Sequence, residues 1–243
     1  MKVGSLFSGI GGLDLGLERA GMTVQWQVER DPWCQRVLAK HWPDVPRYAD
    51  VTALTGDELE PVDLICGGFP CQPVSVAGSQ KGMQDARWLW PEFRRLVGVL
   101  RPRYVFVENV TGLFTANGGH AFGEVIGDLA DLRYNCEWSV LSAADVGAPH
   151  LRKRVWLVAH SDGAGLEGRG LLSQRGGEWF TGAGGVDAFR KHDTSWRTEP
   201  DVGRVAHGVP RRVDRLRGLG NAVVPQCAEF IGRAILSHDA QFQ

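Results

Sequence analysis

Hydrophobic and polar positions along the first two-thirds of the chain alternate between short apolar runs and stretches of helical period. Lys2–Phe7 reads as a buried strand that stops at Ser8-Gly9-Ile10-Gly11-Gly12, after which Leu13, Leu17 and Ala20 recur at the spacing of one helix face. Thr23–Val28 predicts a second strand closing at Glu29-Arg30-Asp31, and Pro32 suits the first turn of a helix running to about His41. Asp50-Val51 is read as closing a third strand, and Val62–Cys66 as a fourth that runs into Gly67-Gly68-Phe69-Pro70-Cys71. Beyond it the pattern predicts a helix over Trp90–Leu100, a strand over Tyr104–Val107, a helix over Phe122–Leu132, and strands over Cys136–Leu141 and Val155–Ala159. Strands alternating with helices predict an α/β fold, with a mostly parallel central sheet covered by helices on both faces. From residue 160 to about 216 no period is sustained, and Gly163–Gly185 is rich in glycine. Order is expected again at Leu216–Asn221, followed by a last helix from about Pro225 to Leu236. No internal repeat marks a solenoid.

A chain of 243 residues has room for one large α/β domain with at most a modest lobe. Its 43% apolar and 23% charged content is that of a soluble globular protein and excludes a disordered chain, a coiled coil or a collagen-like repeat. No apolar run approaches the roughly 18–20 residues that cross a bilayer. The N-terminus runs directly into a strand pattern without the features of a secretory signal, so a cytoplasmic protein is expected.

The net charge of −1 does not announce a polyanionic partner, but its distribution is uneven. Residues 163–217 carry ten Lys or Arg against seven Asp or Glu, a net of +3, which leaves −4 elsewhere. Of the 27 basic residues 22 are Arg, whose planar fork suits phosphates and guanine edges, although GC-rich coding produces the same bias. The five cysteines form no C-x-x-C pair, so no zinc or other metal site is expected, and their odd number argues against a disulfide framework. Cys34, Cys66, Cys136 and Cys227 lie in apolar surroundings and read as small core residues, whereas Cys71 stands among Pro70, Gln72 and Pro73.

Three segments carry candidate chemistry, each at the end of a predicted strand, where α/β sheets place their ligands. The first is the glycine turn at 8–12, where glycines allow a ligand close to the backbone and the following helix presents free N–H groups. Glu29, 17 residues after Gly12, stands where a carboxylate grips ribose hydroxyls. The turn alone is also compatible with a tight bend that binds nothing. The spacing is not G-x-G-x-x-G, which weakens a dinucleotide reading, and no phosphate-cradling G-x-x-x-x-G-K-[ST] motif is present. The second segment is Pro70-Cys71, a thiol on a turn followed by a polar, glycine-punctuated stretch to Arg87 with the composition of a lid. The third is Glu108, read as ending the fifth strand, where burial raises a carboxyl pKa and favours a general acid. Taken alone, Glu108 reads more readily as a helix N-cap or a salt-bridged surface acid.

Together the motifs Phe7-Ser8-Gly9-Ile10-Gly11-Gly12, Pro70-Cys71-Gln72, Glu108-Asn109-Val110, Arg152-Lys153-Arg154 and Gly220-Asn221-Ala222-Val223 resemble, in order, those of the cytosine-C5 DNA methyltransferases. The resemblance covers residues 1–159 and about 216–243 and makes the chain a short member of that family. It implies a Rossmann-like S-adenosylmethionine-dependent fold over 1–159, a small irregular target-recognition region over 160–215, and a segment over 216–243 that returns to the catalytic domain. Phe7, Gly9, Gly11, Gly12 and Pro70 would line S-adenosylmethionine, with Glu29 on its ribose, Asp50 and Val51 at the adenine and Asn221 supporting the pocket. Cys71 would be the nucleophile and Glu108 the acid, with Arg152 and Arg154 orienting the cytosine and that acid. Gln72, Ser75, Asn109 and Val110 would contact the substrate, and the stretch Gln72–Arg87 would close over a flipped base. The expected partner is duplex DNA, and the expected assembly is a monomer.

Two departures from the family pattern stand out. His150 occupies the position two before Arg152 where the family usually carries Gln, and the target-recognition region is short. Arg190, Lys191, Arg197, Arg204, Arg211 and Arg212, with Trp179 and Trp196, are the candidates there for contacts to DNA or for a small core. Methylation of tRNA by the same motifs, a DNA-binding homologue without turnover, and more distantly a nicotinamide-dependent oxidoreductase are the alternative functions.

Overall fold

A computed structural model describes residues 1–70, 88–161 and 212–241. In chain order these form β1 (Lys2–Leu6), α1 (Gly12–Ala20), β2 (Thr23–Val28), α2 (Pro32–His41), β3 (Arg47–Tyr48), β4 (Leu64–Gly67), α3 (Trp90–Leu100), β5 (Tyr104–Val110), α4 (His120–Asp131), β6 (Tyr134–Ser142), β7 (Lys153–Ser161), α5 (Arg212–Asn221) and α6 (Pro225–Asp239). The strands make one sheet in the order β3-β2-β1-β4-β5-β7-β6. The first five run parallel, β7 is antiparallel to β5, and β6 is antiparallel to β7. The predicted mixed, mostly parallel sheet is therefore present, in a Rossmann-like order that reverses between β1 and β4.

Alternation along each strand separates two cores. Val105, Val107, Leu157 and Ala159 face α3 and α4, packing on Phe93, Leu96 and Val125. Tyr104, Phe106, Trp156 and Val158 face the opposite layer, where α1 and α6 contribute Leu13, Leu17, Ile231 and Ile235. Cys66 and Cys227 are buried in this second core, Cys34 is buried under α2, and Cys136 is half-buried. Burial drives the thiol of Cys66 well above its ordinary range and those of Cys136 and Cys227 up to about 12, so all three stay protonated near neutral pH.

The structure corrects several predicted boundaries. Asp50 and Val51 do not close β3, which spans only Arg47–Tyr48; the Asp50 side chain caps a short 3-10 turn at Val51–Ala53. Its Asx-type bond to the Thr52 amide competes successfully with strand extension. Glu108 does not end β5, which continues two residues to Val110 because β7 supplies paired partners through Arg154. The turn of order expected at Leu216 is the second half of a helix, α5, that begins at Arg212. Of the expected region 160–215, residues 160–161 complete β7 and 212–215 open α5; the rest, with Arg190, Lys191, Arg197, Arg204, Arg211, Trp179 and Trp196, lies outside the described residues. No helix among the described residues is long and apolar enough to cross a membrane, and no group of three or more His, Cys, Asp or Glu among them could hold a metal ion.

Candidate active site

The glycine turn sits at the C-terminal end of β1, where the strand order reverses. Gly11 caps α1 with φ 85°, a left-handed conformation that glycine takes without a Cβ penalty. Gly9 also has positive φ, and a Cβ there would meet nothing within 4 Å, so the backbone faces open space. The Glu29 carboxylate braces the turn, accepting from Gly9 N at 2.7 Å and from Asp31 N at 2.7 Å. Beneath the turn lies a buried polar network. Ser8 Oγ donates to Ser5 Oγ at 2.9 Å, Ser5 Oγ donates to Asp14 at 3.0 Å, and Gln27 Nε2 donates to the other Asp14 oxygen at 2.8 Å. Desolvation outweighs these bonds and raises the Asp14 pKa to about 6. Sequence reasoning passed over Asp14; its signal was an acid beside Leu13 on a helix that begins at the turn.

Phe7 precedes the turn with φ 53° and stacks on Phe93, ring centroids 6.5 Å apart. Asp50 is half-buried, and its bonds to the Thr52 amide and hydroxyl hold its carboxyl below the usual range. Val51 is buried in the α3-side core, with its carbonyl accepting from Arg95. Across the turn, the connection between α5 and α6 presses on Gly12: a Cβ at that position would stand 2.5 Å from the Val223 carbonyl oxygen. A cleft of about 840 Å3 opens here, running from Ile10, Gly11 and Gly12 along α1 past Leu15 and Arg19 to Trp42 and Val223; Phe7, Gly9, Glu29, Asp50, Val51, Pro70 and Asn221 do not line it.

At the end of β5 the structure brings Glu108 and Arg154 together, with Arg154 Nε 3.0 Å from the carboxylate. Glu108 pairs in register with Trp156, so Arg154 is its diagonal neighbour on the same face of the sheet. Glu108 is only 8% exposed, and burial outweighs the attraction of Arg154 and Arg152, raising its pKa to about 7. Its carboxylate also reaches the loop leaving β4, since a Cβ on Gly68 would lie 3.0 Å from Glu108 Oε2. Asn109 is buried and ties that same loop down, donating to the Phe69 carbonyl at 3.1 Å, while its Oδ1 accepts from Val110 N at 2.9 Å. Val110 itself is 42% exposed at the strand end. Pro70 is the last described residue of the loop; Cys71, Gln72, Ser75 and the rest of the stretch to Arg87 lie outside the described residues.

Arg152 takes a different course from Arg154. It stands before β7 with φ 34° and donates from Nη2 to the carbonyls of Gly220 at 2.9 Å and Ala222 at 2.5 Å. Asn221 lies between those two carbonyls. Among the described residues, the site thus consists of the turn with Glu29, the Glu108–Arg154 pair and the braced β4 loop, joined through Arg152 to the segment around Asn221. It offers an open glycine turn at a strand end, a carboxyl that is protonated for much of the neutral range, and a cation beside it. That is the equipment to bind a nucleoside-like group and to donate a proton to a ring nitrogen.

The sequence profile of the C-5 cytosine-specific DNA methylase family matches residues 1–194. Among curated proteins the chain is 36% identical over 177 residues to the Type II methyltransferase M.AquIA of a Picosynechococcus species, covering 65% of this chain and 71% of that protein. It is 33% identical over 154 residues to the Type II methyltransferase M.HhaI of Haemophilus parahaemolyticus, covering 63% of this chain and 47% of that one. The chain thus spans about half the length of M.HhaI, as it does of M.NgoBI from Neisseria gonorrhoeae (51%). Among solved structures, a prophage-encoded Escherichia coli protein described as a DNA modification methyltransferase superposes with a TM-score of 0.59 at 30% identity, covering 68% of this chain and 48% of that chain. The Dnmt2 methyltransferase of S. pombe, at 22% identity and a TM-score of 0.56, shares the fold over 66% of this chain and 51% of its own.

Proposed function

Because the chain belongs to the C-5 cytosine-specific DNA methylase family, we propose that it transfers a methyl group from S-adenosylmethionine to C5 of a cytosine flipped out of duplex DNA. The observation that carries this reading is the juxtaposition of Glu108, held near pKa 7 beside Arg154, with the β4 loop from which Cys71 follows in sequence.

The residues present fit the cofactor. Gly9 faces open space beside the Glu29 carboxylate, so a ligand can approach the backbone of the turn within reach of that acid. Phe7, Gly9, Gly11, Gly12, Glu29, Asp50, Val51, Pro70 and Asn221 would hold it. When bound, S-adenosylmethionine supplies an electrophilic methyl group on a sulfonium.

The chain's own residues do the rest. Cytosine C5 is a poor nucleophile, and addition of the Cys71 thiolate to C6 pushes electron density onto it. Cys34, Cys66 and Cys227 are buried and Cys136 half-buried, and burial pushes the thiols of Cys66, Cys136 and Cys227 far above neutrality, which leaves Cys71 as the one whose sequence setting suits thiolate chemistry. Glu108 in its protonated form donates to ring N3 and stabilises the developing charge, while Arg154 orients that carboxyl and presents a cation toward the pyrimidine oxygen. Asn109 fixes the loop that precedes Cys71. Once C5 carries the methyl group, loss of the C5 proton and departure of the Cys71 sulfur restore the aromatic ring.

The test is covalent capture on duplex DNA containing 5-fluorocytosine with S-adenosylmethionine, since fluorine cannot leave as a proton does and the adduct persists. A cross-link mapped to Cys71, absent in Cys71→Ser while DNA binding survives, is expected. Absence of any adduct and of methyl transfer to cytosine in duplex DNA overturns the reading, and transfer to tRNA alone replaces the substrate.

A further inference from the structure

The motif Arg152-Lys153-Arg154 places two arginines two residues apart, a spacing that puts both on one face if both lie in a strand. They are not both in the strand. β7 begins at Lys153, and Arg152 sits outside it with φ 34°, a left-handed conformation that is strained for a non-glycine residue. Such a conformation persists only where the surroundings over-determine it, and here they do. The backbone turn aims Arg154 at Glu108 and sends Arg152 the other way, onto the carbonyls of Gly220 and Ala222.

Those carbonyls stand at the C-terminus of α5. The last carbonyls of a helix lack intrahelical partners and carry the negative end of its dipole, so a nearby cation is favourable. α5 has no basic residue in its own last turn. Arg152, some 70 residues earlier in sequence, supplies the cation and two donors from one planar group. From the opposite side, Val223 lies hard against Gly12, and Gly16 leaves room for the carbonyl of Pro225. The connection from α5 to α6 is therefore held between the glycine turn on one side and Arg152 on the other.

We propose that Arg152 is a positioning residue: it caps α5 and seats Gly220–Ala222 against the glycine turn, and so links that turn to the Glu108–Arg154 pair two residues along the chain. The base and the DNA are not its ligands. The link to cofactor affinity rests on the methyltransferase reading; the clamp itself does not.

The experiment uses the full chain as wild type, Arg152→Ala and Arg152→Lys. Both bonds leave one nitrogen, Nη2, so the lysine variant, with its charge and three donors on one nitrogen, tests whether a cation and its donors alone hold the segment. Amide hydrogen exchange over residues 219–224 and titration with S-adenosylhomocysteine in the absence of DNA are the readouts. The alanine variant is expected to exchange faster over 219–224 and to bind S-adenosylhomocysteine about tenfold more weakly, with lysine rescuing part of both effects. Unchanged exchange over 219–224 overturns the clamp. Faster exchange with unchanged S-adenosylhomocysteine affinity, and a raised KM for DNA alone, overturns the link to the cofactor and assigns Arg152 to DNA. If the wild type itself fails to bind S-adenosylhomocysteine, the methyltransferase reading falls, and the exchange result alone decides the clamp.

Discussion

Glu108 and Arg154 occupy diagonal positions on neighbouring antiparallel strands, with the guanidinium Nε 3.0 Å from the carboxylate, yet the carboxyl keeps a pKa raised to about 7. Pairing with a cation ordinarily lowers a carboxyl pKa. Here desolvation dominates, and the ion pair only moderates it.

This balance sets a pH dependence. The protonated acid is the active form, so Glu108 contributes a limb over which kcat/KM for methyl transfer falls as pH rises through about 7, while the need for the Cys71 thiolate sets the opposing limb at lower pH. Replacing Arg154 by Ala removes a lowering influence and moves the falling limb to higher pH, at the cost of overall rate. Glu108→Gln should lose about 100-fold or more in kcat and abolish the limb. Rates of methyl transfer measured across this range check all three outcomes.

Asp14 gives a stability prediction. Its folded pKa of about 6 lies above the ordinary aspartate value of 3.8, so the stability it contributes is complete below the unfolded pKa and is lost as pH rises through about 6. The loss is on the order of 3 kcal/mol. Asp14→Asn removes the charge, and Gln27, whose Oε1 has no hydrogen-bond partner, can turn its amide to accept from the new Nδ2. Relative to wild type, the variant Tm is expected to gain roughly 5–10 °C between pH 4.5 and 7.5. A Tm difference independent of pH would be the contrary result.

Gly12→Ala tests the packing at the turn. An added Cβ would stand 2.5 Å from the Val223 carbonyl oxygen, which is backbone and cannot swing away. Destabilisation of about 1–3 kcal/mol in denaturant unfolding is expected, together with weakened S-adenosylhomocysteine binding.

Glu29→Ala leaves the amides of Gly9 and Asp31 without their acceptor. Affinity for S-adenosylhomocysteine should fall by about tenfold or more, and DNA affinity should change by less than roughly threefold. Calorimetry for the first and fluorescence anisotropy for the second measure the split.

Substituting the core thiols separates them from Cys71. Cys66→Ala and Cys227→Ala are expected to cost about 1 kcal/mol of stability and to retain covalent capture by 5-fluorocytosine DNA. Loss of capture in either variant, with folding intact, would contradict their role as core residues.

The periodicity of the chain alone determined the alternation of strands and helices, the strand β2 and the helix α3 to the residue, and the placement of the glycine turn at the end of β1, whereas Glu108 stands two residues inside β5. These follow from local rules, in which side-chain period, proline and glycine act over a few residues. The short β3, the extension of β5 to Val110 and the helical start of α5 were not legible, because each depends on a partner distant in sequence or on a side-chain cap. The site divides in the same way. Motif order pointed to Glu108, Arg152 and Arg154, and the family resemblance gave both arginines one task, orienting the cytosine and the acid. Only the tertiary structure sends Arg152 to the end of α5, buries Glu108 until its pKa approaches neutrality and sets Asp14 beneath the turn. Desolvation and long-range hydrogen bonding come from neighbours that the chain brings together by folding, and no local pattern encodes them.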